Sequence, residues 1–199
     1  RRGAAFASKK ARKHLETINP EDVKNITVIR HAAIGDWVVT RPFLIELKQY
    51  FPKAIITLSV MRTYMYGMPR DLVDAIHIVD KDDPNNKAKK TSLLTRIKQA
   101  RELPSQDIIF DLTDSSLSLL LIIFSKAKLK VGYPYRWVRR LFYDIATLRS
   151  DFVFETMSML HQLNILGANT KHYPLEYKLS NKTANQISPY IICCLLFNI

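Results

Sequence analysis

Asn25-Ile-Thr-Val-Ile-Arg30, followed at once by His31-Ala-Ala-Ile-Gly-Asp36 and then by Trp37-Val-Val-Thr-Arg-Pro42, is the stretch that decides the fold. The first part is a short β-branched run of the kind buried in a sheet. The second is a small-residue loop. From Trp37 to Tyr50 the apolar residues Val38, Val39, Phe43, Leu44 and Leu47 fall at helical spacing, and Pro42 either kinks this helix or opens its regular part. Strand, small loop and helix together make the first half of a β-α-β unit.

Outward from it the alternation repeats. Ala54 to Val60 and Ala75 to Val79 read as strands, the latter after a short helical stretch broken at Gly67 and Pro69. Asp80 to Lys90 is a charged loop, Thr91 to Glu102 a helix, and Asp107 to Leu112 a strand ending near a carboxylate. Ser115 to Lys126 reads as an apolar helix and Leu129 to Tyr133 as a strand. A basic-aromatic helix is expected from Arg136 to Leu148, and another from Phe152 to Leu166, ended by Gly167. Lys171 to Ser180 reads as extended, and Ser188 to Ile199 as a strand that begins a new sheet. Strands that are apolar on both faces, separated by helices, predict an α/β, Rossmann-like, doubly wound parallel sheet. Right-handed crossovers then bring the C-terminal ends of the strands to one edge, where ligands bind. The loops at Ala32 to Asp36, Met61 to Tyr66 and Thr113 to Ser115 belong to that edge.

Composition sets the partners. The 199 residues carry a formal charge of +12, with 47% apolar and 24% charged residues, which fits a folded protein drawn to polyanions. Arg1 to His14 is basic and free of acidic residues; it reads as a solvated tail able to touch an anionic membrane, with a transit peptide as the lesser reading. The adjacent Cys193 and Cys194 offer neither a disulfide framework nor metal-ligand spacing, which favours a reducing compartment. Apolar runs such as Leu117 to Phe124 are far shorter than the ~20 residues that span a bilayer.

The loop has one glycine where a dinucleotide fingerprint needs three, and it lacks a Walker lysine, so nicotinamide and P-loop chemistry lose their main support. A Gly35-Asp36 pair remains at the mouth of the first strand. Gly35 permits close approach of a ligand. On its chemistry alone Asp36 is either a helix cap or a group facing a ligand. His31 is near it and could orient substrate or bind phosphate; a packed histidine fits as well. His77 reads as core. Arg62, with Tyr64 and Tyr66, could offer a cation and rings to a sugar, or simply line a surface loop. Asp111 is either a substrate contact or a cap for the next helix. Arg136, Arg139 and Arg140, with Trp137 and Phe142, form a basic-aromatic surface suited to anionic lipid.

The run from Ile26 to Pro42, with its apolar strand, basic residue, small residues, Gly-Asp and a proline six positions later, resembles the opening motif of the heptosyltransferases of glycosyltransferase family 9. The similarity continues through Leu47 to Leu58, Asp107 to Leu112, Lys130 to Tyr133 and Met159 to Gly167, so it covers most of residues 25 to 180. The resemblance implies the N-terminal half of a GT-B enzyme, divided into a basic tail at 1–24, an acceptor-side Rossmann-like domain at 25–180, and a linker with the truncated first strand of a donor-binding domain at 181–199. It implies inverting transfer of a heptose or related sugar from a nucleotide-sugar such as ADP-heptose to a lipopolysaccharide core or related glycan. The place would be the cytoplasm, at the face of the inner membrane, with no metal and no specific nucleic-acid partner. Asp36 would be the catalytic base, with His31, Gly35, Arg62 and Asp111 binding substrate. Thr113 and Asp114 depart from the family's Gln-Gly pair, and Leu117 stands where a cation is common, which argues against acceptor-phosphate binding there. The 199 residues alone are expected to lack appreciable transfer. The alternatives are a non-catalytic basic Rossmann-like module holding nucleic acid or membrane, and a decayed gene product.

Overall fold

A computed structural model describes residues 6–79, 93–148 and 153–171. The expected loop at 80–90, the linker at 181–199 and the strand expected at 188–199 lie outside the described residues, as does nearly all of the extended segment expected at 171–180.

Among the described residues seven strands form one sheet in the order β1-β7-β6-β5-β2-β3-β4. The parallel part is β2 (Asn25–Ile29), β3 (Ile55–Met61), β4 (Ala75–Val79), β5 (Gln106–Asp111), β6 (Ala127–Gly132) and β7 (Ile145–Ala146). The two-residue β1 (Phe6–Ala7) adds an antiparallel edge on β7. The helices are α1 (Lys9–Thr17), α2 (Ile34–Tyr50), α3 (Leu93–Glu102), α4 (Ser116–Phe124) and α5 (Glu155–Ile165).

The strand residues sort the two faces by their period of two. Ile26, Val28, Ile108, Phe110, Leu129 and Val131 pack with Phe43, Leu44 and Leu47 of α2 and Met159 and Leu163 of α5. Ile29 and Ile109 pack on the other face with Ala100 of α3 and Leu121 and Ile122 of α4. Helices therefore cover both sides, and the doubly wound parallel sheet expected from the alternating pattern is the fold observed. Pro42 is taken inside α2. Close to it the Thr156 hydroxyl donates to the Val39 carbonyl at 2.9 Å, which docks α5 on α2. Gly167 ends α5 at φ +98°, with Ala168 N–H returning to the Leu163 carbonyl, as a left-handed helix stop requires.

Three expectations are corrected. Of the solvated tail expected from Arg1 to His14, the described residues from Phe6 onward are folded: Phe6–Ala7 pairs with β7, Ser8 caps α1 through the Ala11 N–H, and Ala11 is fully buried in the core. The helix expected at 136–148 is a short 3-10 turn, Trp137–Phe142, followed by β7. Finally, α2 starts at Ile34 and takes Gly35 and Asp36 into its first turn. There the Asp36 carboxylate accepts the Ala33 N–H at 3.0 Å, one half of a capping box whose other half Ala33 has no polar side chain to supply.

Candidate functional site

The parallel strands end together at one edge, and β2 delivers a buried cation there. Arg30 follows directly on β2 and is 3% exposed. An isolated guanidinium at that depth is costly, and its terminal nitrogens are met while Nε is buried without a partner. Nη1 donates to the Leu112 carbonyl at 2.5 Å and to Glu155 Oε1 at 3.1 Å, and Nη2 donates to Asp36 Oδ1 at 2.9 Å. One guanidinium thus ties the ends of β2 and β5 to the first turns of α2 and α5. The Asp36 side chain keeps 38% of its surface exposed. A Cβ added at Gly35 would meet nothing within 4 Å, so the first turn of α2 faces open space beside that carboxylate.

His31 is placed differently from a ligand contact. Its ring is buried and sits 3.4 Å from the Ser59 hydroxyl, which in turn is 3.0 Å from His77 Nδ1. His77 Nε2 lies 3.0 Å from the Gln99 carbonyl, which can only accept, so Nε2 carries the proton. The Ser59 hydroxyl then donates to His77 and accepts from His31 Nε2. Burial, aided by the neighbouring His77, pushes His31 down to about 3, and burial lowers His77 also. Both imidazoles are neutral packing groups, and His31 contributes to the edge mainly through its N–H, which donates to Thr113 Oγ1 at 2.9 Å.

Asp111 is likewise turned inward. It is 1% exposed, its Oδ1 accepts the N–H groups of Thr113 and Asp114 at 2.9 and 3.1 Å, and its Oδ2 accepts the Tyr143 hydroxyl at 2.6 Å. Burial pushes the carboxyl up and these donors pull it back, while burial and Asp111 raise the Tyr143 phenol. The expected substrate contact is in fact the brace of the loop after β5. Gly132 is part of that brace, since a Cβ there would lie 2.5 Å from Tyr143 Cε1. Asp114 stands at φ +51°, the left-handed region that favours glycine. Its carboxylate holds Arg139 at 2.8 Å and the Tyr135 N–H at 2.5 Å. Arg62 is exposed on the 3-10 turn Arg62–Tyr64 after β3, and Trp37 Nε1 donates to the Tyr64 carbonyl at 3.1 Å, bringing that turn against α2.

Of the residues singled out in the sequence, Asp36 and Gly35 are together at the open edge, Arg62 is on a neighbouring turn, and His31 and Asp111 are inside. Arg30 and Glu155 were missed. A charged residue ending a β-branched run was a signal for Arg30; nothing local marks Glu155, 125 residues away. Among the described residues no group of three His, Cys, Asp or Glu is placed to hold a metal ion, and no helix is long and apolar enough to cross a membrane.

No family model matches the sequence, and no curated protein matches it significantly. Solved structures do. A glycosyl transferase of family 9 from Veillonella parvula DSM 2008 superposes with a TM-score of 0.71 at 21% identity, over 91% of this chain and 52% of that one. The chain shares the fold of glycosyltransferase family 9. The E. coli heptosyltransferase WaaC shares this fold too, with TM-scores of 0.63 in its structure with ADP-2-deoxy-2-fluoro heptose and 0.61 in that with ADP, at 17% and 16% identity. Each WaaC alignment covers 77% of this chain and 51% of WaaC. The chain therefore spans about half the length of these three structures.

Proposed function

We propose that the chain is the acceptor-side half of an inverting glycosyltransferase of family 9, in which Asp36 is the general base. The transferred group is a heptose or related sugar carried by a nucleotide-sugar such as ADP-heptose, and the acceptor is a lipopolysaccharide core or related glycan. The observation that supports this most is the Asp36 carboxylate itself: aimed by Arg30 at 2.9 Å, partly exposed, and next to the open first turn of α2 in a family 9 fold. Asp36 takes the proton of an acceptor hydroxyl as its oxygen bonds to the anomeric carbon. The bond from that carbon to the diphosphate oxygen breaks with its electron pair, and displacement in one step inverts the centre. A carboxylate within hydrogen-bond reach of the hydroxyl contributes about 10²–10⁴-fold. The departing diphosphate would be stabilised by amides and basic groups of a nucleotide-binding half, without a metal. Because the matched structures are about twice as long, transfer is expected from this chain joined to such a half, in the cytoplasm where nucleotide-sugars are made.

The test is turnover of ADP-heptose by the joined protein against an Asp36→Asn variant. Loss of turnover supports the base. Undiminished turnover removes Asp36, and a salt-sensitive affinity for nucleic acid in place of turnover would point to a basic binding module.

A further inference from the structure

Between Tyr135 and Phe142 the protein holds a large apolar surface in water. Leu141 is 68% exposed, Trp137 50%, Tyr135 and Val138 49% each, and Phe142 43%. Single exposed apolar side chains are ordinary, but five within eight residues mark an interaction surface. The 3-10 geometry orders them, since side chains three apart lie in one row. Val138 and Leu141 form an aliphatic row. Trp137 and Arg140 form the next, with the Arg140 guanidinium 5.8 Å from the indole centroid. In the third row Arg139 alone turns inward, its Nη1 bound to the Asp114 carboxylate and carbonyl at 2.8 Å each, while Arg136 and Phe142 on either side of it are exposed. Tyr135 N–H on Asp114 and Tyr143 on Asp111 fix the two ends. The exposure is thus built into an anchored segment.

We propose that residues 135–142 are a membrane-docking face that seats Val138, Leu141, Trp137 and Phe142 at the headgroup level of an anionic bilayer, with Arg136 and Arg140 on the phosphates. Charge selects this occupant. From Ser115 to Tyr143 the sequence contains no Asp or Glu, and the whole chain carries +12. Arg stems cover apolar surface while their heads reach phosphate, and tryptophan favours the interface. A second copy meeting the same patch would bring its arginines against these. Nucleic acid would leave the Val138–Leu141 row without a base to stack on. The inference stands on this surface alone and does not depend on sugar transfer.

The test is partition of the 199-residue chain onto phosphatidylglycerol–phosphatidylcholine vesicles, read by sedimentation and by tryptophan emission. Trp37 is 1% exposed, so a blue shift on binding reports Trp137. Expected is binding to the anionic vesicles, none to phosphatidylcholine alone, and weakening by salt. Leu141→Ser should weaken partition roughly tenfold. Arg136→Ala should weaken it roughly fivefold. The proposal is overturned if no partition occurs, or if the chain instead forms a stable dimer that hides Trp137. It also fails if these substitutions change nothing while Lys9→Glu with Lys13→Glu on α1 abolishes binding.

Discussion

Arg30 Nη2 donates to Asp36 Oδ1 at 2.9 Å across the mouth of β2. The pair joins the end of a central strand to the first turn of the following helix, six residues apart in sequence. Asp36 is also the residue that closes the start of α2 through the Ala33 N–H. The cap and the proposed base are therefore one group using different oxygens: Oδ2 serves the helix, and Oδ1 is aimed by the guanidinium. A carboxylate fixed at both oxygens has little rotamer freedom left, which suits a group that must meet a hydroxyl in one geometry.

Arg30→Gln should loosen that aim and leave Asp36 and Glu155 as unbridged carboxylates near the edge. A net loss of ~1–3 kcal/mol is expected as the Asp36 and Glu155 carboxylates lose their shared donor and the Leu112 carbonyl keeps only the Tyr133 hydroxyl at 2.7 Å. Urea unfolding measures it, with a lower midpoint and an unchanged slope. In the joined enzyme the same variant should lower kcat by up to about 10²-fold through misplacement of Asp36. Unchanged stability and kcat would remove Arg30 from the site.

Gly132→Ala should push Tyr143 off Asp111, because the new Cβ would lie 2.5 Å from Tyr143 Cε1 and 3.3 Å from the Asp111 carbonyl oxygen. Tyr143→Phe removes the same hydrogen bond without the clash and leaves Asp111 Oδ2 buried without its donor. A destabilisation of about 1–3 kcal/mol is expected for Tyr143→Phe, and more for Gly132→Ala, by thermal or urea unfolding. If Gly132→Ala is as stable as the parent, the brace is not tight.

Stability should fall with pH through the histidines. An unfolded histidine takes up its proton near 6.5, while burial holds native His31 down to about 3 and lowers His77 as well. The unfolded state thus binds more protons below pH 6.5, and native stability declines as pH drops, by up to about 1.4 kcal/mol per pH unit for each histidine. Above that the histidines contribute no slope. Urea midpoints taken across about pH 7.5 to 5 check this, and His77→Gln should flatten the profile. A flat profile in the parent would contradict the buried, neutral assignment.

The central sheet was legible because β2, β3 and β5 are β-branched or apolar runs buried mostly on both faces, and because β4 and β6 keep enough of that pattern, β4 half-buried at the edge and β6 alternating with Lys128 and Lys130. The two-residue β1 and β7 were not, since a strand that short is defined by its partner: Phe6 opposite Ala146 is a relation across 140 residues. The segment after Arg136 has helical composition, yet Asp114 takes Arg139 and Asp111 takes Tyr143, and those contacts decide its shape. In the site, Gly35 and Asp36 could be read from the loop before a helix. The inward turn of His31 and Asp111 could not, because it depends on Ser59, His77 and Tyr143 arriving from other strands. Glu155 was silent for the same reason.

The most direct measurement of the proposed function is single-turnover transfer from ADP-heptose to a lipopolysaccharide-core acceptor by this chain joined to a nucleotide-binding half, with Asp36→Asn compared to the parent. The asparagine keeps an oxygen for the Ala33 N–H but sets its amide nitrogen against Arg30 Nη2 and cannot take a proton, so a loss of about 1–3 kcal/mol that leaves the protein folded is expected while the rate falls by about 10²–10⁴-fold. A folded Asp36→Asn protein that transfers at the parental rate would contradict the account.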